Sequence, residues 1–329
     1  MAKIYGDDDA DLQVLDDKTI TIIGYGNQGH AQAKNMRDSG CDVIIGNPQG
    51  DEYWNRAKED GFEVYGIAEA ARKGDIIHML IPDEVQAKVY NEQIAPSMGD
   101  GKTLGFSHGF NIHYKEIVPP REDDVIMIAP KAPGDTVRKT YKEGSGVPGL
   151  VAVSQDASGE AMDVALAMAK AVGLTRQGVI ETTFQEEVES DLFGEQTVLV
   201  GGVSELIKAG FDTLVDDGYQ PEIAYFECLN ELKLIVDLIH EGGIEEMMKK
   251  VSNTAEYGGR TRGPRIIDEG ARKEMREILE EIQDGSFTKE WVTENDRGAP
   301  NLKERREEAE EDLIEEVGEK IRDWADIEE

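Results

Sequence analysis

The sequence predicts an α/β domain with a doubly wound parallel sheet, followed by an all-helical domain. Two observations predict this arrangement. Apolar strand patterns alternate with helical patterns through the first half of the chain, and after residue 182 only helical periodicities follow. Strands that alternate with helices form a parallel sheet covered by helices on both faces. We therefore expect one domain at residues 1–182 and a second at residues 183–329.

Length and composition exclude several classes of protein. The chain has 329 residues, which is enough for two domains with their own cores. Its formal net charge of −34 argues against a general affinity for nucleic acid or for an anionic membrane. The two cysteines, Cys41 and Cys228, lie in apolar contexts and are predicted to be buried thiols in a reducing compartment. No secretion signal and no membrane-spanning apolar run is recognised, so a cytoplasmic protein is expected.

The first strand and the first helix enclose a glycine-rich turn. Residues 18–23 are rich in β-branched side chains, as in a buried parallel strand, and residues 30–36 have a helical pattern. Between them lies a G-x-G-x-x-G motif, formed by Gly24, Tyr25, Gly26, Asn27, Gln28 and Gly29. Its glycines permit a tight turn and let a pyrophosphate approach the N-terminus of the helix. The motif predicts a Rossmann-type dinucleotide-binding domain, with a glycine-rich turn that binds no ligand as the alternative.

The second strand and its loop bear on the choice of dinucleotide. Residues 42–46 form this strand, which ends without an acidic residue that could hold the ribose hydroxyls. The following loop, residues 47–54, carries Asp51 and Glu52 and has no Arg or Lys before Arg56. A 2′-phosphate would meet these carboxylates, which is unfavourable. The loop therefore favours NADH over NADPH, unless its acids are ordinary loop residues of an acidic protein.

The rest of the first domain continues the alternation of strands and helices. It is predicted to contain helices at residues 54–59, 67–72 and 159–172, a helix opened by residues 82–86, and strands at residues 62–64, 75–81, 103–107, 124–129 and 149–154. Ligands bind at the carboxyl ends of parallel strands. His108 follows one strand and Lys131 follows the next, so both are expected beside the bound nucleotide, although a lone His or Lys at a strand end is often incidental.

The second domain is predicted to be built from long helices. They are residues 191–209, 222–240, 243–253, 264–284 and 302–325, with an irregular break at residues 257–264. The last helix is densely charged. It is predicted to dock through an apolar stripe formed by Leu313, Ile314, Val317 and Ile321.

Two pairs of acidic residues lie within apolar helical segments of the second domain. Asp191 and Glu195 are four residues apart, and so are Glu227 and Glu231. This spacing places both carboxylates of a pair on one helix face. Acids among apolar residues are costly to bury unless they are paired, and metal coordination is one way to satisfy them. Four hard oxygen ligands favour Mg²⁺, whereas a solvated helix face is the alternative in so acidic a chain.

Several of these segments together resemble ketol-acid reductoisomerase of the short-chain class. The resemblance rests on residues 24–32, 107–114, 129–134 and 189–202 and on the pair Glu227/Glu231, and it covers nearly the whole chain. It implies an Mg²⁺-dependent alkyl migration in 2-acetolactate or 2-aceto-2-hydroxybutyrate, followed by hydride transfer from a nicotinamide. The products would be the 2,3-dihydroxy acid precursors of valine, leucine and isoleucine. The resemblance also implies an intertwined, knotted-type helical domain and a homodimer or higher oligomer with shared active sites.

The resemblance assigns roles to individual residues. It implies two Mg²⁺ ions in each active site, with Asp191 shared by both ions and Glu195 bound to the first. Glu227 and Glu231 would bind the second ion and would come from the partner subunit. Ser252 matches a residue that contacts the substrate, and the implied catalytic residues are His108, Lys131 and Glu195. Cofactor contacts are implied for Gly24, Tyr25, Gly26, Asn27, Gln28, Gly29, Pro48, Asp51, Tyr53, Asp83, Glu84, Val85, Gln86 and Gly134.

One departure from the family pattern concerns the cofactor loop. Where the family offers an arginine and two serines to the 2′-phosphate, this chain has Pro48, Asp51 and Tyr53. NADH is therefore expected as the preferred cofactor, with NADPH possible. Two other classes of protein remain open. A metal-independent NAD(P)-dependent hydroxyacid dehydrogenase would need no Mg²⁺, and a non-catalytic nucleotide sensor would show no turnover.

Overall fold

A computed structural model describes residues 2–324 and divides the chain into two compact units between Val188 and Glu189. Cys41 and Cys228 are both half-buried and form no disulfide. Burial raises the pKa of the Cys41 thiol to about 11, which keeps it protonated. Within residues 2–324 no helix combines the length and the apolar character needed to cross a membrane.

The described part of the first unit, residues 2–188, contains a single sheet of nine strands. They are β1 (Ile4–Tyr5), β2 (Thr19–Ile23), β3 (Asp42–Gly46), β4 (Glu63–Tyr65), β5 (Ile76–Met79), β6 (Thr103–Phe106), β7 (Asp124–Pro130), β8 (Gly149–Gln155) and β9 (Val179–Glu181). Their order across the sheet is β1-β9-β8-β7-β6-β5-β2-β3-β4. The chain runs outward from β2 through β3 to β4 and then returns to β5 on the other side of β2. Doubly wound sheets bind ligands at such a reversal of strand order.

Helices of the first unit cover both faces of the sheet. They are α1 (Asn27–Asp38), α2 (Glu52–Glu59), α3 (Ile67–Lys73), α4 (Asp83–Val89), α5 (Phe110–His113), α6 (Gly134–Glu143), α7 (Ala161–Val172) and α8 (Phe184–Gly194), the last of which continues into the second unit. Successive strand residues enter different cores, because side chains alternate across a strand. Ile22 packs in the core that contains Met36, whereas Ile23 packs in the core that contains Phe106. The strands are apolar at nearly every position because their side chains pack into two hydrophobic cores, one on each face of the sheet.

The sheet is mixed, so the expectation of a purely parallel sheet is corrected at two places. β8 runs antiparallel to β7, and β1 runs antiparallel to β9. After α6 the left-handed residues Gly144 and Gly146 return the chain to the end of β7, so that Gly149 starts opposite Pro130. β8 must therefore run back along β7. The sequence shows an apolar strand there but not its direction, and it gave no signal for the two short strands β1 and β9.

The second unit is all-helical over residues 189–324. Its helices are α9 (Gly201–Asp216), α10 (Pro221–Tyr225), α11 (Leu232–Gly242), α12 (Ile244–Lys250), α13 (Asn253–Ile266), α14 (Glu269–Gln283), α15 (Ser286–Asp296), α16 (Pro300–Glu310) and α17 (Leu313–Trp324). Two segments have π-helical hydrogen bonding, Glu195–Leu199 before α9 and Phe226–Asn230 between α10 and α11. The sequence predicted each of these regions as one unbroken helix.

The predicted break at residues 257–264 is wrong, because these residues lie inside α13. The Ser252 hydroxyl caps the start of this helix, and the ion pair of Glu256 with Arg260 spans one of its turns. Pro264 lies in the last turn of the helix, which ends two residues later at Ile266, because proline cannot donate to the carbonyl four residues back. Helix α15 was not predicted as a separate element.

The core of the second unit forms where α17 packs on α10 and α9. Ile314, Val317 and Ile321 are buried against Phe211 and Tyr225, which confirms three members of the predicted stripe. Leu313, the fourth member, is 44% exposed, so its inclusion was wrong. Other large apolar side chains of this unit remain exposed in the single chain: Val198, Leu199, Val200, Leu206, Ile223, Leu234, Val236, Ile244, Tyr257 and Ile266.

Candidate dinucleotide and catalytic site

The glycine-rich turn joins β2 to α1 through close backbone contacts. Gly24 has a φ of 98°, and a Cβ there would lie 2.8 Å from the Leu80 carbonyl oxygen. A Cβ on Gly29 would lie 2.3 Å from the carbonyl oxygen of Gly24. A Cβ on Gly26 would instead project into open space. The turn is therefore packed from behind and open in front, where the first amides of α1 can receive a pyrophosphate.

A cleft of about 620 Å³ opens in front of this turn. The predicted cofactor residues that line it are Gly24, Tyr25, Gly26, Asn27, Gln28, Pro48, Asp51, Tyr53, Asp83, Val85 and Gln86. Ser107 and His108 line it as well. Gly29, Glu84 and Gly134 do not. Gly134 instead receives the Asn27 side chain, whose Oδ1 accepts a hydrogen bond from the Gly134 amide at 2.5 Å, so it fixes the turn from behind.

Tyr25 lines the cleft, but its fully buried side chain joins the turn to α2. Its hydroxyl donates to Asp60 Oδ2 at 2.9 Å, and Lys34 Nζ lies 2.7 Å from the same oxygen. Burial, together with the adjacent Asp60 carboxylate, raises the pKa of Tyr25 well above its ordinary value. Asp60 closes the C-terminal end of α2, so the phenol connects the phosphate turn to that helix.

The loop before α2 presents a carboxylate and no cation. Asp51 is the N-cap of α2, and its Oδ1 accepts a hydrogen bond from the Trp54 amide at 2.6 Å. Pro48 and Tyr53 line the cleft on either side of it, and Tyr53 is 44% exposed. Neither of these side chains carries a positive charge.

A buried polar network lies behind the cleft. Gln32 Nε2 donates to Gln28 Oε1 at 3.1 Å and to Ser107 Oγ at 3.0 Å. Its Oε1 therefore accepts a hydrogen bond from His78 Nε2, at 3.0 Å. Burial lowers the pKa of His78 to about 4. The neutral imidazole is thus connected through the side-chain amide of Gln32 to Ser107, the residue that precedes His108.

A buried carboxylate, Glu187, joins the two predicted catalytic residues of the first unit. Its side chain is 2% exposed. His108 Nδ1 lies 3.1 Å from Oε2, Lys131 Nζ lies 3.4 Å from Oε1, and the Gly109 amide donates to Oε2 at 3.2 Å. Glu187 was not predicted from the sequence. The available signal was its place one helical turn before Asp191, on the same face of α8.

The predicted metal ligands and the substrate residue lie in the second unit. Asp191 is in α8, Glu195 begins one π-turn, and Glu227 and Glu231 lie at the other. Among residues 2–324, no group of three or more potential ligands within mutual reach contains Glu195, Glu227 or Glu231. The Ser252 hydroxyl accepts a hydrogen bond from the Ala255 amide as the N-cap of α13, so its proton remains available for donation.

The reversed strand order, the glycine-rich turn and the cleft define a dinucleotide-binding protein of the Rossmann class. Comparison with known proteins gives a narrower result. Residues 14–178 match the family described as acetohydroxy acid isomeroreductase, NADPH-binding domain. Residues 184–326 match the family described as ketol-acid reductoisomerase, C-terminal domain. The chain therefore belongs to the ketol-acid reductoisomerase family of nicotinamide-dependent enzymes.

Individual relatives agree with this family. A Methanopyrus kandleri protein named ketol-acid reductoisomerase (NADP(+)) is 62% identical over 98% of each chain. A Pyrococcus abyssi protein of the same name is 57% identical over 100% of this chain and 99% of its own. A solved NADH-preferring ketol-acid reductoisomerase from an uncultured archaeon is 53% identical and covers 98% of each chain with a TM-score of 0.93.

Proposed function

We propose that this enzyme converts 2-acetolactate or 2-aceto-2-hydroxybutyrate into the corresponding 2,3-dihydroxy acid, by an Mg²⁺-dependent alkyl migration followed by reduction with a nicotinamide. The dihydroxy acids are precursors of the branched-chain amino acids. The observation that carries the proposal is the buried Glu187 carboxylate, which holds His108 and Lys131 beside a dinucleotide cleft. A metal-independent dehydrogenase would not need the two further acidic pairs.

The donor set of the second unit fits Mg²⁺. Asp191, Glu195, Glu227 and Glu231 offer only hard carboxylate oxygens, which are the ligands this ion prefers. We propose that these four residues hold two ions. When bound, such ions polarise a carbonyl group and stabilise the negative charge of a deprotonated hydroxyl, as an alkyl migration requires.

Residues of the first unit would hold and move a proton. Glu187 fixes the imidazole of His108 by accepting from Nδ1, which places the lone pair of the neutral ring on Nε2. Nε2 is therefore the atom that would exchange a proton with the substrate hydroxyl. The Lys131 ammonium and the Gly109 amide offset the desolvation cost of burying the Glu187 carboxylate. Glu187 can therefore stabilise the imidazolium that forms.

We propose that NADH is the preferred cofactor. One carboxylate oxygen of Asp51 accepts a hydrogen bond from the Trp54 amide, and the other can accept one from a ribose hydroxyl. A 2′-phosphate would meet this carboxylate, and Pro48 offers it no donor. Two missing charge-assisted contacts correspond to about 3 kcal/mol, or about a hundredfold in discrimination. The solved relative described as NADH-preferring supports this choice, whereas the names of the two curated relatives specify NADP(+).

A double variant tests the cofactor proposal. Pro48→Arg combined with Asp51→Ser should reverse the ratio of kcat/KM for NADH to that for NADPH. Serine is also a good N-cap residue, so the first turn of α2 should remain intact. A changed ratio of kcat/KM would then report the new contact with the 2′-phosphate. Asp51→Asn, which retains the cap and removes the charge, is the matched control and should move the ratio part of the way. A wild-type enzyme more efficient with NADPH would overturn the cofactor proposal.

We propose a homodimer in which each active site takes Asp191 and Glu195 from one chain and Glu227 and Glu231 from the other. Two observations support this. Within the described chain, neither Glu227 nor Glu231 belongs to a group of three or more potential metal ligands. The second unit also exposes apolar side chains that a partner would cover: Leu199 is 72% exposed, Val200 63% and Leu234 60%.

Subunit mixing tests the metal site and the sharing together. Asp191→Asn and Glu227→Gln should each abolish Mg²⁺-dependent isomerisation while dinucleotide binding remains. After subunit exchange, the mixed dimers contain one intact site, so an equimolar mixture should recover about a quarter of the wild-type rate. Near-normal isomerisation by either single variant would remove the metal assignment. No recovery after verified exchange would remove the sharing.

A further inference from the structure

The π-turn at Glu195–Leu199 depends on two glycines that follow it. Its characteristic hydrogen bond runs from the Val200 amide to the Glu195 carbonyl at 3.0 Å, five residues back instead of four. A Cβ on Gly201 would lie 2.2 Å from the Gln196 carbonyl oxygen, and a Cβ on Gly202 would lie 2.0 Å from that of Thr197. Both contacts are with backbone atoms five residues back, so a side chain can be admitted only if the turn changes.

Three of the four proposed metal ligands lie at π-turns of the second unit. Glu195 begins the first one, and Glu227 and Glu231 lie at the second, where the Glu231 amide donates to the Phe226 carbonyl at 3.1 Å. The π-helix accounts for well under 1% of residues in globular proteins and occurs mostly as single turns at functional sites. A third π-turn, Tyr90–Ile94, lies in the first unit and carries none of the proposed ligands. The link between this backbone geometry and the ligands is therefore the position of Glu195, Glu227 and Glu231 at the two π-turns of the second unit.

We propose that Gly201 and Gly202 are positioning residues for the metal site, because they permit the π-turn that begins at Glu195. This inference rests on the proposed metal ligands. Closing the turn to an α-helix would rotate the two flanking helices relative to each other by about 100°, the rotation of one residue. Phe211 anchors α9 in the core at 1% exposure. Val188 likewise anchors α8, with no exposed surface. The change would therefore distort the segment between these anchors, which contains Asp191 and Glu195.

The turn also carries a side-chain support. The buried Thr197 donates its hydroxyl to the Phe193 carbonyl at 2.7 Å, one turn earlier in the same segment. Where a helix changes from α to π bonding, its backbone carbonyls lose their regular partners, and a side-chain hydroxyl can replace one of them. Thr197 and the two glycines thus act on the same π-turn. The threonine donates a hydrogen bond within it, and the glycines permit the close backbone contacts at its C-terminal end.

Alanine substitutions test the proposal, with Gly194→Ala as the control. A Cβ on Gly194 has its nearest neighbour at 3.9 Å, the flexible end of Leu199, so alanine fits there. The full-length enzyme is titrated with Mg²⁺ by calorimetry, and NADH binding and Tm are measured on the same samples. Gly201→Ala and Gly202→Ala should each weaken Mg²⁺ binding at least about tenfold while the Kd for NADH stays within about twofold. Gly194→Ala should change neither constant by more than about twofold.

The outcomes separate this inference from the proposed function. If the wild-type enzyme binds no Mg²⁺, the proposed metal ligands are wrong and this inference falls with them. If the wild type binds Mg²⁺ and Gly202→Ala binds it equally well, only the role of the glycines is overturned. Should the alanine variants fail to fold, Thr197→Val decides: it should weaken Mg²⁺ binding several-fold with Thr197→Ser restoring it, and unchanged binding would overturn the inference.

Discussion

Lowering the pH from 7 to 5 should destabilise the dinucleotide-binding unit through one buried imidazole. His78 lies in β5 with no exposed surface, and burial lowers its pKa from 6.5 to about 4. Its Nε2 proton is committed to Gln32 Oε1, because Gln32 Nε2 already donates to Ser107. A second proton on the ring would place an unpaired charge in the core.

The direction of the effect follows from the two pKa values of His78. Between pH 6.5 and pH 4 the unfolded chain binds a proton at this residue and the folded chain does not. The contribution of the neutral, buried His78 to the free energy of unfolding is therefore fully present above the pKa of His78 in the unfolded chain. It is lost as the pH falls toward the pKa of His78 in the folded chain. For these two values the loss between pH 7 and pH 5 is about 2 kcal/mol, and it approaches about 3 kcal/mol below pH 4.

Urea unfolding of the wild type and of His78→Gln at pH 7 and pH 5, in one salt concentration, measures this loss. Glutamine cannot titrate but can donate to Gln32, and the carboxylates common to both proteins cancel in the comparison. The wild type should lose about 2 kcal/mol more than the variant over this pH range. Equal losses in the two proteins would show that His78 is not held neutral by burial.

Three further predictions concern the turn, the second core and the surface. Gly29→Ala should weaken NADH binding at least about tenfold by fluorescence titration, because its Cβ would lie 2.3 Å from the Gly24 carbonyl oxygen; an unchanged Kd would contradict the packing of the turn. Ile321→Ala should cost about 2–5 kcal/mol in urea unfolding, whereas Leu313→Ala, at an exposed site of the same helix, should cost far less. Raising KCl from 0.1 M to 2 M should raise Tm by roughly 5 °C or more, because the net charge of −34 repels itself; a falling Tm would refute this.

Local patterns in the sequence account for much of the dinucleotide unit. The glycine-rich turn has a signature because Gly24 and Gly29 are required by contacts within a few residues of the motif and with one neighbouring strand. The β-branched runs predicted most of the strands because burial on both faces demands apolar residues at every position. The direction of β8 could not be predicted, because it depends on where the chain lies in space at the end of α6, which is a long-range property.

The site was harder to predict where its residues act through tertiary contacts. Glu187 stands in a run of acids, and its place one helical turn before Asp191 is the one local feature that distinguishes it from the exposed Glu186 beside it. Its burial depends on the approach of His108 and Lys131 from two different strands. The π-turns escaped prediction for a related reason. The helical period of residues 191–209 predicts one regular helix, and the signal for an inserted residue was only the pair Gly201-Gly202.

The pairing of β1 with β9 brings the two ends of the dinucleotide unit to the same edge of its sheet. Ile4 lies opposite Ile180, so the first and last strands of this unit are neighbours, and α8 follows directly after the last strand. These two strands lie outside the cleft, whose walls come from the ends of β5 and β7 and from the connections after β2, β3, β4, β5 and β6. The unit is therefore topologically self-contained. A short linker between its ends would give a circular permutant in which the order of the elements changes and the cleft does not.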